Sequence, residues 1–376
     1  MKSLKYLAMM MAVAGFVACD DDNEVVTNNG NGGNGDNGDN PPAVVEPVSN
    51  GFVVLNSGNQ SKAIEGDFTL VNYAGGFSAT NNVFAGANGR SLGITPNSAC
   101  VYGSKVYVAV TKSNTIEVCE RGTFKSLKRI ELAADAVLAD PRGVAADGGY
   151  VYVSLYSGHV CKIDTTNLNI VGSVEVGDKP ELMAVSAGKL YVPNSGYGQG
   201  TTVSEIDLAT FSKTRDITVP KNPVKLDTDA RGNVYLLCSG YYDESWNQLG
   251  AAVHRLDLAS GNHVKVADAT IMDIPDGTNT LYVCNYPYGA PAATYAKVDL
   301  MSGAQSALSI TVDAPNALAV DPVTGYMVVL SYELVGGFAS YSTPGYARIF
   351  NADGTQLKQV ETGVGPLAVC FLTENL

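Results

Sequence analysis

The side chains best suited to recognition chemistry are aromatic residues gathered in a few loops, mostly in the second half of the chain. Gly, Pro, Asn and Ser fill the positions between them, and basic residues are nearly absent. Tyrosine and tryptophan offer a large contact area at a small cost in rotamer entropy, together with a polar group. The pattern favours a large, flat, weakly charged ligand with amides or hydroxyls over a phosphate-rich one. The residues are Tyr156, Tyr197, Tyr241, Tyr242, Trp246, Tyr286, Tyr288, Tyr332, Phe338, Tyr341 and Tyr346.

Histidines are few and lie away from these aromatic loops. His159, His254 and His263 fall in or beside other segments that read as strands. A serine or cysteine nucleophile would need a histidine base beside it in the loops. No pair of histidines has the spacing of a helical zinc motif either. We therefore expect a non-enzymatic protein with no metal site and no catalytic cofactor.

Two acidic pairs also fail as chemical motifs. Asp227 and Asp229, followed by Gly232, resemble the start of a calcium loop but lack the later glutamate. We interpret them as a structural turn. Asp243 and Glu244 are adjacent in the longest aromatic loop, and neighbouring carboxylates alone do not make a paired acid–base site. We assign them to solvation or to hydrogen bonds with a ligand.

Composition excludes two further classes of protein. The 376 residues are 45% hydrophobic and only 16% charged, which is enough apolar material for a large core and argues against wholesale disorder. The formal net charge of −13 disfavours general nucleic-acid binding, which needs a basic face. Forty glycines and 20 tyrosines favour many strands and turns.

The N-terminus has the features of an export signal. Lys2 and Lys5 flank the start of an apolar stretch over 6–17 that is too short to span a bilayer as a helix. It ends in Phe-Val-Ala-Cys at Cys19, which resembles a bacterial lipobox. In that family the signal peptide, here residues 1–18, is removed and the cysteine carries a diacylglycerol. The alternative is an ordinary secretory signal with a chance cysteine.

A flexible tether is predicted over residues 19–50. Asp20, Asp21 and Asp22 follow the cysteine and resemble the surface-export signal of Bacteroidetes lipoproteins, the alternative being a solvated charge run. The following Asn/Gly-rich stretch has too few apolar residues to offset the entropy of ordering. About 30 flexible residues give a root-mean-square reach of roughly 30 Å.

From Gly51 to Leu376 the chain repeats one phrase: a proline, a short apolar run, a turn, an aromatic–valine pair, a polar loop and another strand. The phrase recurs at a mean interval of about 46 residues, close to the length of a propeller blade. Six units begin with a proline: Pro96, Pro141, Pro180, Pro223, Pro315 and Pro366. Seven carry the strand pair: Val53-Val54, Tyr107-Val108, Tyr152-Val153, Tyr191-Val192, Tyr235-Leu236, Tyr282-Val283 and Met327-Val328.

Four strands per unit and seven units predict an all-β, seven-bladed β-propeller over 51–376. The segment 366–371 reads as a first strand with no unit after it, so we expect it to complete the blade that starts at Gly51 and to close the ring. In-strand tyrosines such as Tyr107 and Tyr282 are predicted core. Innermost strands carry small residues where they converge, namely Cys100, Ala145, Ala184, Asp227, Ala319 and Cys370.

With these motifs the chain resembles the YncE/YVTN-like propellers over 51–376, and with its lipobox and acidic run it resembles the DUF5074-like propeller lipoproteins of Bacteroidetes. Some members of that group are surface cobalamin-binding lipoproteins on TonB-dependent vitamin B12 transporters. The resemblance implies a lipid-anchored, surface-exposed outer-membrane protein. It would bind cobalamin or a related corrinoid and pass it to such a transporter.

Under this resemblance the aromatic side chains cover the corrin ring, while two asparagines and loop backbone meet the amides. The expected binding residues are Tyr156, Asn194, Tyr197, Tyr241, Tyr242, Trp246, Asn285, Tyr286, Tyr288, Tyr332 and Tyr341. Three alternatives remain open. Individual tyrosines at loop bases pack against a neighbouring blade, the propeller is an adhesion or surface-layer protein that binds glycan or protein, or the fold carries an enzyme.

Six cysteines follow Cys19, and their spacing shows no compact disulfide framework. Most are expected to be buried thiols. Cys238 and Cys284 end the second strands of adjacent units, so a disulfide between them is a further hypothesis.

Overall fold

The computed structural model describes residues 46–133 and 137–374. The predicted signal peptide 1–18, the lipidation site Cys19 and most of the 19–50 tether lie outside the described residues. The predicted propeller lies almost wholly within them. Residues from Glu46 onward form one compact unit.

The described chain forms seven four-stranded antiparallel sheets, which are the blades of a propeller. The strands of blades 1 to 4 are, in chain order, β1 (Val48–Asn56), β2 (Asp67–Asn72), β3 (Ser78–Asn81); β4 (Pro96–Tyr102), β5 (Lys105–Val110), β6 (Thr115–Glu120), β7 (Ser126–Glu131); β8 (Pro141–Asp147), β9 (Tyr150–Leu155), β10 (His159–Asp164), β11 (Ile170–Glu175); and β12 (Ala184–Ser186), β13 (Lys189–Asn194), β14 (Thr202–Asp207), β15 (Ser212–Thr218).

Blades 5 to 7 follow the same order, but two of them carry an extra hairpin. Their strands are β16 (Pro223–Thr228), β17 (Val234–Cys238), the hairpin β18 (Tyr241–Tyr242) and β19 (Gln248–Leu249), β20 (Ala252–Leu256), β21 (His263–Asp268); β22 (Ile271–Asp273), β23 (Thr280–Asn285), β24 (Thr294–Asp299), β25 (Gln305–Leu308); and β26 (Pro315–Val320), β27 (Met327–Ser331), the hairpin β28 (Glu333–Val335) and β29 (Phe338–Ser340), β30 (Pro344–Phe350), β31 (Gln356–Val364). The last strand, β32 (Pro366–Glu374), belongs to blade 1.

The ring closes in blade 1, as the sequence predicts. Strand β32 pairs antiparallel with β1, with Val53 opposite Cys370, so one blade contains both ends of the propeller. Strand β1 begins at Val48, three residues before the predicted boundary at Gly51. Pairing the two ends covers strand edges that would otherwise be open to association with another chain.

Within the described residues, four short helical segments interrupt the strands. They are α1 (Ala74–Phe77) and α2 (Val83–Asn88), both in blade 1, and two 3-10 turns at Gln60–Lys62 and Gly196–Gly198. The Asp67 carboxylate accepts hydrogen bonds from the backbone N–H groups of Phe84 and Ala85, and so satisfies donors in the first turn of α2. No helix of the described residues is long and apolar enough to cross a membrane.

The core lies between consecutive blades, where alternating strand residues from two sheets meet. Tyr107, Tyr152, Tyr191 and Tyr235 are at most 2% exposed, which confirms their prediction as core. Tyr282 is only half-buried, so the prediction holds less well there. Each fully buried Val, Leu or Ile contributes about 1.5–3 kcal/mol through its removal from water. The fold is therefore held by repeated interfaces between its blades.

The two faces of the disc differ in their loops. Connections between first and second strands are tight turns, and glycines such as Gly148, Gly188 and Gly232 supply the positive φ these turns require. Connections between second and third strands lie on the opposite side, which we call the loop face. They are short at 111–114 and 156–158, and longer at 57–66, 195–201, 239–251, 286–293 and 332–343. All the predicted aromatic loops belong to this face.

Candidate functional site

Three exposed aromatic side chains meet where blades 5 and 6 adjoin on the loop face. The ring of Tyr242 lies 6.3 Å from that of Trp246 and 6.1 Å from that of Tyr288. Trp246 is 70% exposed and Tyr288 is 68% exposed. We call these three residues the aromatic cluster. Large apolar side chains are rarely left this open in adjacent positions without a partner.

The cluster is held by the β18–β19 hairpin, whose tight turn is built around one carboxylate. Asp243 accepts hydrogen bonds from the backbone N–H groups of Ser245 (2.9 Å) and Asn247 (2.8 Å), and from the Asn247 side chain (2.9 Å). These bonds lower the pKa of Asp243, since they favour its charged form. Trp246 sits in this turn with a φ of 64°. The role of Asp243 is thus to shape the turn that presents Trp246.

A hydrogen bond ties the hairpin to the next blade. The side-chain oxygen of Gln248 accepts from the backbone N–H of Tyr288 at 3.1 Å, and its nitrogen donates to the Ser239 carbonyl at 2.9 Å. The aromatic cluster therefore spans two blades through one polar side chain. Tyr241 precedes Tyr242 in the hairpin and is 46% exposed.

Blade 7 carries a second aromatic pair. Tyr332 and Tyr341 pack edge to face at 4.8 Å, flanking the β28–β29 hairpin whose Phe338 is 80% exposed. Asn59, in the long loop of blade 1, donates to the Tyr341 carbonyl at 2.6 Å. Burial raises the pKa of Tyr332 to about 12, so its hydroxyl stays a hydrogen-bond donor at neutral pH.

A third aromatic pair joins blades 3 and 4. The rings of Tyr156 and Tyr197 lie 5.4 Å apart in an edge-to-face arrangement, and Tyr197 is 67% exposed. Tyr156 is half-buried and donates its hydroxyl to Glu181 at 2.5 Å. Burial and the Glu181 carboxylate together raise the pKa of Tyr156, although Arg142 opposes them. Tyr156 is therefore fixed in place, whereas Tyr197 is open to a ligand.

Beside this pair lies a chain of polar side chains that we call the charged arc: Asn97, Arg142 and Glu181. Arg142 donates through Nε to Glu181 at 2.7 Å and through Nη1 to the Asn97 side chain. The guanidinium also lies over the Tyr156 ring, 5.2 Å from its centre. Burial disfavours the charge on Arg142, but Glu181, Tyr156 and Tyr197 together more than offset it, so the pKa of Arg142 is raised.

The charged arc follows from one position in the repeat. Its three residues each come directly after a leading proline, at the loop-face end of an inner strand. Inner strands surround the propeller axis, so these positions converge although they lie about 40 residues apart in sequence. The aromatic pattern did not reveal them. A comparison of the residue after each leading proline would have revealed them. Blades 5 and 1 carry the apolar residues Val224 and Leu367 at this position, so the polar residues of the arc stand out.

Local backbone packing sets the position of Glu181. A Cβ on Gly143 would lie 2.6 Å from the Glu181 carbonyl oxygen, so only glycine allows this approach. The Ser154 hydroxyl accepts from the Gly143 N–H at 2.8 Å and donates to the Glu181 carbonyl at 2.9 Å. The pairing of β8 with β9 is irregular between Pro141 and Val144, a bulge of the kind that redirects side chains.

Asn194, one of the expected ligand contacts, is buried in this structure. Asn194 is 2% exposed, and its side-chain nitrogen donates to Thr202 and Ser204 at 3.0 Å each. Its oxygen accepts from the Gly177 N–H at 3.1 Å, across the boundary between blades 3 and 4. With these groups occupied and covered, Asn194 joins blades and offers nothing to a ligand.

Two other expected ligand contacts, Asn285 and Tyr286, are only partly accessible. Asn285 is half-buried and lines a groove of about 470 Å³ between blades 5 and 6, with Lys265, Thr294 and Gln305 among the other lining residues. Tyr286 is half-buried and packs on the core between blades 6 and 7. Its ring fits the packing alternative better than ligand contact.

The hypothesis of a Cys238–Cys284 disulfide is also wrong. Both are free thiols, and they belong to different core clusters, Cys238 in that of blades 4 and 5 and Cys284 in that of blades 6 and 7. Burial raises the pKa of each thiol to about 12, so both stay protonated at neutral pH. Neither is a reactive cysteine under ordinary conditions.

The innermost strands of blades 5 and 6 carry a cluster of charged side chains where the sequence predicts small residues. Lys225 donates to the Met272 carbonyl at 2.9 Å and lies 3.6 Å from Asp227 and 3.5 Å from Asp273. Burial raises the pKa of Asp273, and Lys225 only partly offsets it. Asp227 accepts from the Ile274 N–H at 3.1 Å. These groups tie blade 5 to blade 6, so Asp227 has a bonding role beyond packing.

Histidines and turn carboxylates are the remaining candidates for catalysis or metal binding. The rings of His254 and His263 lie 5.1 Å apart in β20 and β21, on outer strands of blade 5. Burial, with help from His263 and Lys265, lowers the pKa of His254 to about 4. No group of three or more His, Cys, Asp or Glu side chains within 46–133 and 137–374 is arranged to hold a metal ion. Asp229 instead shapes its turn, accepting from the backbone of Arg231 and Asn233.

Comparisons with known proteins support the fold and go no further. No family model matches the sequence, and no curated protein matches it significantly. Among solved structures, the chain is similar to Kuenenia stuttgartiensis hydrazine synthase, with a TM-score of 0.54 and 17% sequence identity. The match covers 73% of this chain and 89% of that one. At this identity the likeness concerns the fold alone, and the fold of this chain is that of a seven-bladed β-propeller.

Proposed function

We propose that this protein is a non-enzymatic binding propeller that takes a large, flat, weakly charged ligand on its loop face. The observation that carries the proposal is the aromatic cluster, in which the Tyr242 ring lies 6.3 Å from Trp246 and 6.1 Å from Tyr288, and the last two rings are more than two-thirds exposed. Adjacent exposed rings on loops held by a rigid scaffold are typical of a binding surface. Burying them against a flat ligand supplies the hydrophobic part of the affinity.

The ligand that fits the resemblance is cobalamin or a related corrinoid. Its ring is broad and flat, and its edge carries amides that tyrosine hydroxyls and loop backbone can meet. By the same resemblance the protein is anchored through Cys19 to the outer membrane and exposed at the cell surface. It passes its ligand to a TonB-dependent outer-membrane transporter.

A second candidate is an adhesion or surface-layer propeller that binds glycan or protein. The observation favouring it is that the aromatic side chains form three separate groups, in blades 3–4, 5–6 and 7. Separate platforms suit an extended ligand such as a glycan, whose sugar rings stack on aromatic faces. The two candidates share a surface and differ in the ligand.

The direct test mixes the purified chain with cyanocobalamin, removes free ligand by desalting, and records the visible spectrum of the protein fraction. We expect retained red colour near one ligand per chain. A colourless protein fraction contradicts tight cobalamin capture and moves the search to glycan arrays and co-purified outer-membrane partners.

Trp246 provides a second readout because it is the sole tryptophan. We expect cyanocobalamin to quench its fluorescence, after correction with free N-acetyltryptophanamide for light absorbed by the ligand. The substitutions Tyr242→Ala and Tyr288→Ala should weaken binding. Met301→Ala is the matched control, because Met301 is 62% exposed and lies in the same blade as Tyr288 but on the opposite face.

A further inference from the structure

The charged arc is unusual for its location. The chain has a net charge of −13, and its loop face has few basic residues, yet two cations pack on one tyrosine ring. Arg142 and Lys179 lie 5.2 Å and 5.8 Å from the centre of the Tyr156 ring. A single carboxylate that is shielded from solvent, Glu181 at 8% side-chain exposure, pairs with Arg142 at 2.7 Å. The neighbouring Asp178 is 71% exposed and only 3.9 Å from Lys179, so water screens its charge.

The carboxylate is engaged by three protein side chains. Glu181 accepts from the Tyr156 hydroxyl at 2.5 Å, from Ser195 at 3.2 Å and from Arg142 at 2.7 Å. Three donors on two oxygens leave it little capacity to meet a ligand. Its function in the arc is to hold the guanidinium.

Two of the three guanidinium nitrogens are held by protein acceptors, and in the described part of the chain the third is free to bind. Nε and Nη1 of Arg142 donate to Glu181 and Asn97, while Nη2 has no hydrogen-bond partner among residues 46–133 and 137–374. The side chain is 30% exposed at the loop-face end of an inner strand. A guanidinium fixed in this way presents its remaining donors without further loss of side-chain entropy.

We propose that Arg142 binds a singly charged oxyanion of the ligand, a phosphodiester or a carboxylate, at the centre of the loop face. The inference deepens the proposed function and rests on it, since it takes the loop face as the ligand-binding face. An arginine whose ion pair is set back from the surface attracts an oxyanion through charge-assisted hydrogen bonds. Lys179 adds a second positive charge, with its Nζ fixed 2.9 Å from the Tyr156 carbonyl.

Stability alone is a weak reason for this arrangement. Placing Arg142 and Glu181 out of water is costly, and apolar residues of similar size usually stabilise a fold as well or better. The equivalent positions in blades 5 and 1, Val224 and Leu367, are apolar. The propeller therefore closes without charge at this position in two of its blades.

The first arm of the test is independent of any corrinoid. The full chain is labelled with ¹⁵N-arginine and titrated with inorganic phosphate at constant ionic strength. The Arg142 side-chain resonance, assigned from its loss in Arg142→Met, should shift saturably. Arg215 is the internal reference, because it pairs with Glu205 at 2.8 Å on an outer strand away from the loop face. A shift at Arg142 no larger than that at Arg215 overturns the inference.

The second arm uses cyanocobalamin, which contains a phosphodiester, and dicyanocobinamide, which lacks it. Arg142→Met should weaken cyanocobalamin binding about tenfold or more, the value of a charge-assisted hydrogen bond, and leave dicyanocobinamide nearly unchanged. Arg142→Lys should recover part of the loss, and Arg215→Met should behave as the wild type.

The outcomes separate the two proposals. If the wild type retains no cyanocobalamin but phosphate shifts Arg142, the cobalamin assignment fails and the oxyanion site stands. If the wild type retains cyanocobalamin and Arg142→Met retains it equally, the function stands and the role of Arg142 is overturned. If Arg142→Met weakens the binding of both corrinoids equally, Arg142 contacts an amide of the corrin ring, and the proposed oxyanion contact is overturned.

Discussion

The aromatic cluster and the charged arc share the loop face but are built in opposite ways. Trp246 is 70% exposed and stands on a hairpin held mainly by one carboxylate, whereas Glu181 is 8% exposed and accepts three hydrogen bonds from three different side chains. The first arrangement can adapt to a ligand at little cost to the fold. The second arrangement is fixed before any ligand arrives, so it can discriminate between ligands by the chemical group that they place beside Arg142. The difference predicts that substitutions in the arc change stability as well as ligand affinity, whereas those in the cluster change ligand affinity alone.

The largest effect on stability is expected from Glu181→Ala. It leaves the part-buried Arg142 charge without its paired carboxylate and the Tyr156 hydroxyl without its acceptor, while Ser195 keeps the Lys179 carbonyl, so we expect a loss of about 2–3 kcal/mol in the free energy of unfolding. The measurement is chemical denaturation followed by far-UV circular dichroism. Asp178→Ala, at a neighbouring but 71% exposed carboxylate, should change the free energy of unfolding by less than about 0.5 kcal/mol. Equal losses of unfolding free energy in Glu181→Ala and Asp178→Ala would show that the buried carboxylate contributes no more to stability than the exposed one.

A smaller loss is expected from Gly143→Ala. The added methyl would lie 2.6 Å from the Glu181 carbonyl and 2.9 Å from the Ser154 hydroxyl, so β8 must move away from blade 4. We expect a loss of about 1–2 kcal/mol, typical of overpacking. Gly122→Ala is the control, since nothing lies within 4 Å of its Cβ position and its φ is not positive. If Gly143→Ala leaves the free energy of unfolding unchanged, β8 can move without disturbing the charged arc.

Trp246→Ala should leave stability nearly unchanged, within about 0.5 kcal/mol, because the ring is 70% exposed. Ligand binding should fall about tenfold or more if Trp246 is a central contact. Denaturation and desalting with cyanocobalamin measure the two effects on the same preparation. Unchanged cobalamin retention would remove Trp246 from the site, and a large loss of stability would show that the hairpin supports the fold.

The smallest effect is a local response to pH at the hairpin turn. The pKa of Asp243 is lowered in the folded state, so the stability it contributes is complete above the unfolded value of about 3.8 and is lost as the pH falls through the folded value. We expect the Trp246 emission to change below about pH 4, before the far-UV signal does. Asp243→Asn removes the titrating group, and the same acid response in that variant would show that another group opens the turn.

Much of the architecture is predictable from the sequence because it is encoded locally. The interval between aromatic–valine pairs predicts blades, glycine turns predict the tight face, and the unmatched strand at Pro366 predicts the closure that pairs Val53 with Cys370. The same logic places Trp246 and Tyr197 on one exposed face, because every loop after a second strand emerges on the same side. These are consequences of strand alternation within one repeat.

The roles of individual polar residues are less predictable, as Asn194 shows. From its sequence position it ends a strand before a long aromatic loop, which favours exposure. In the structure Gly177 of the preceding blade packs against it and donates to it, because adjacent blades meet at that point. Burial of a strand-end residue depends on the neighbouring blade, and no pattern within a single repeat reports that.

Sequence alone determined the repeat, the number of blades, the face that carries the long loops and the aromatic composition of that face. Tertiary structure alone decided that Arg142 bonds to both Asn97 and Glu181, that Lys225 pairs with Asp273 of the next blade, and that Cys238 and Cys284 do not meet. The physical reason is distance along the chain. Strands and turns are set by neighbours in sequence, whereas the ends of inner strands meet only when the ring closes around its axis.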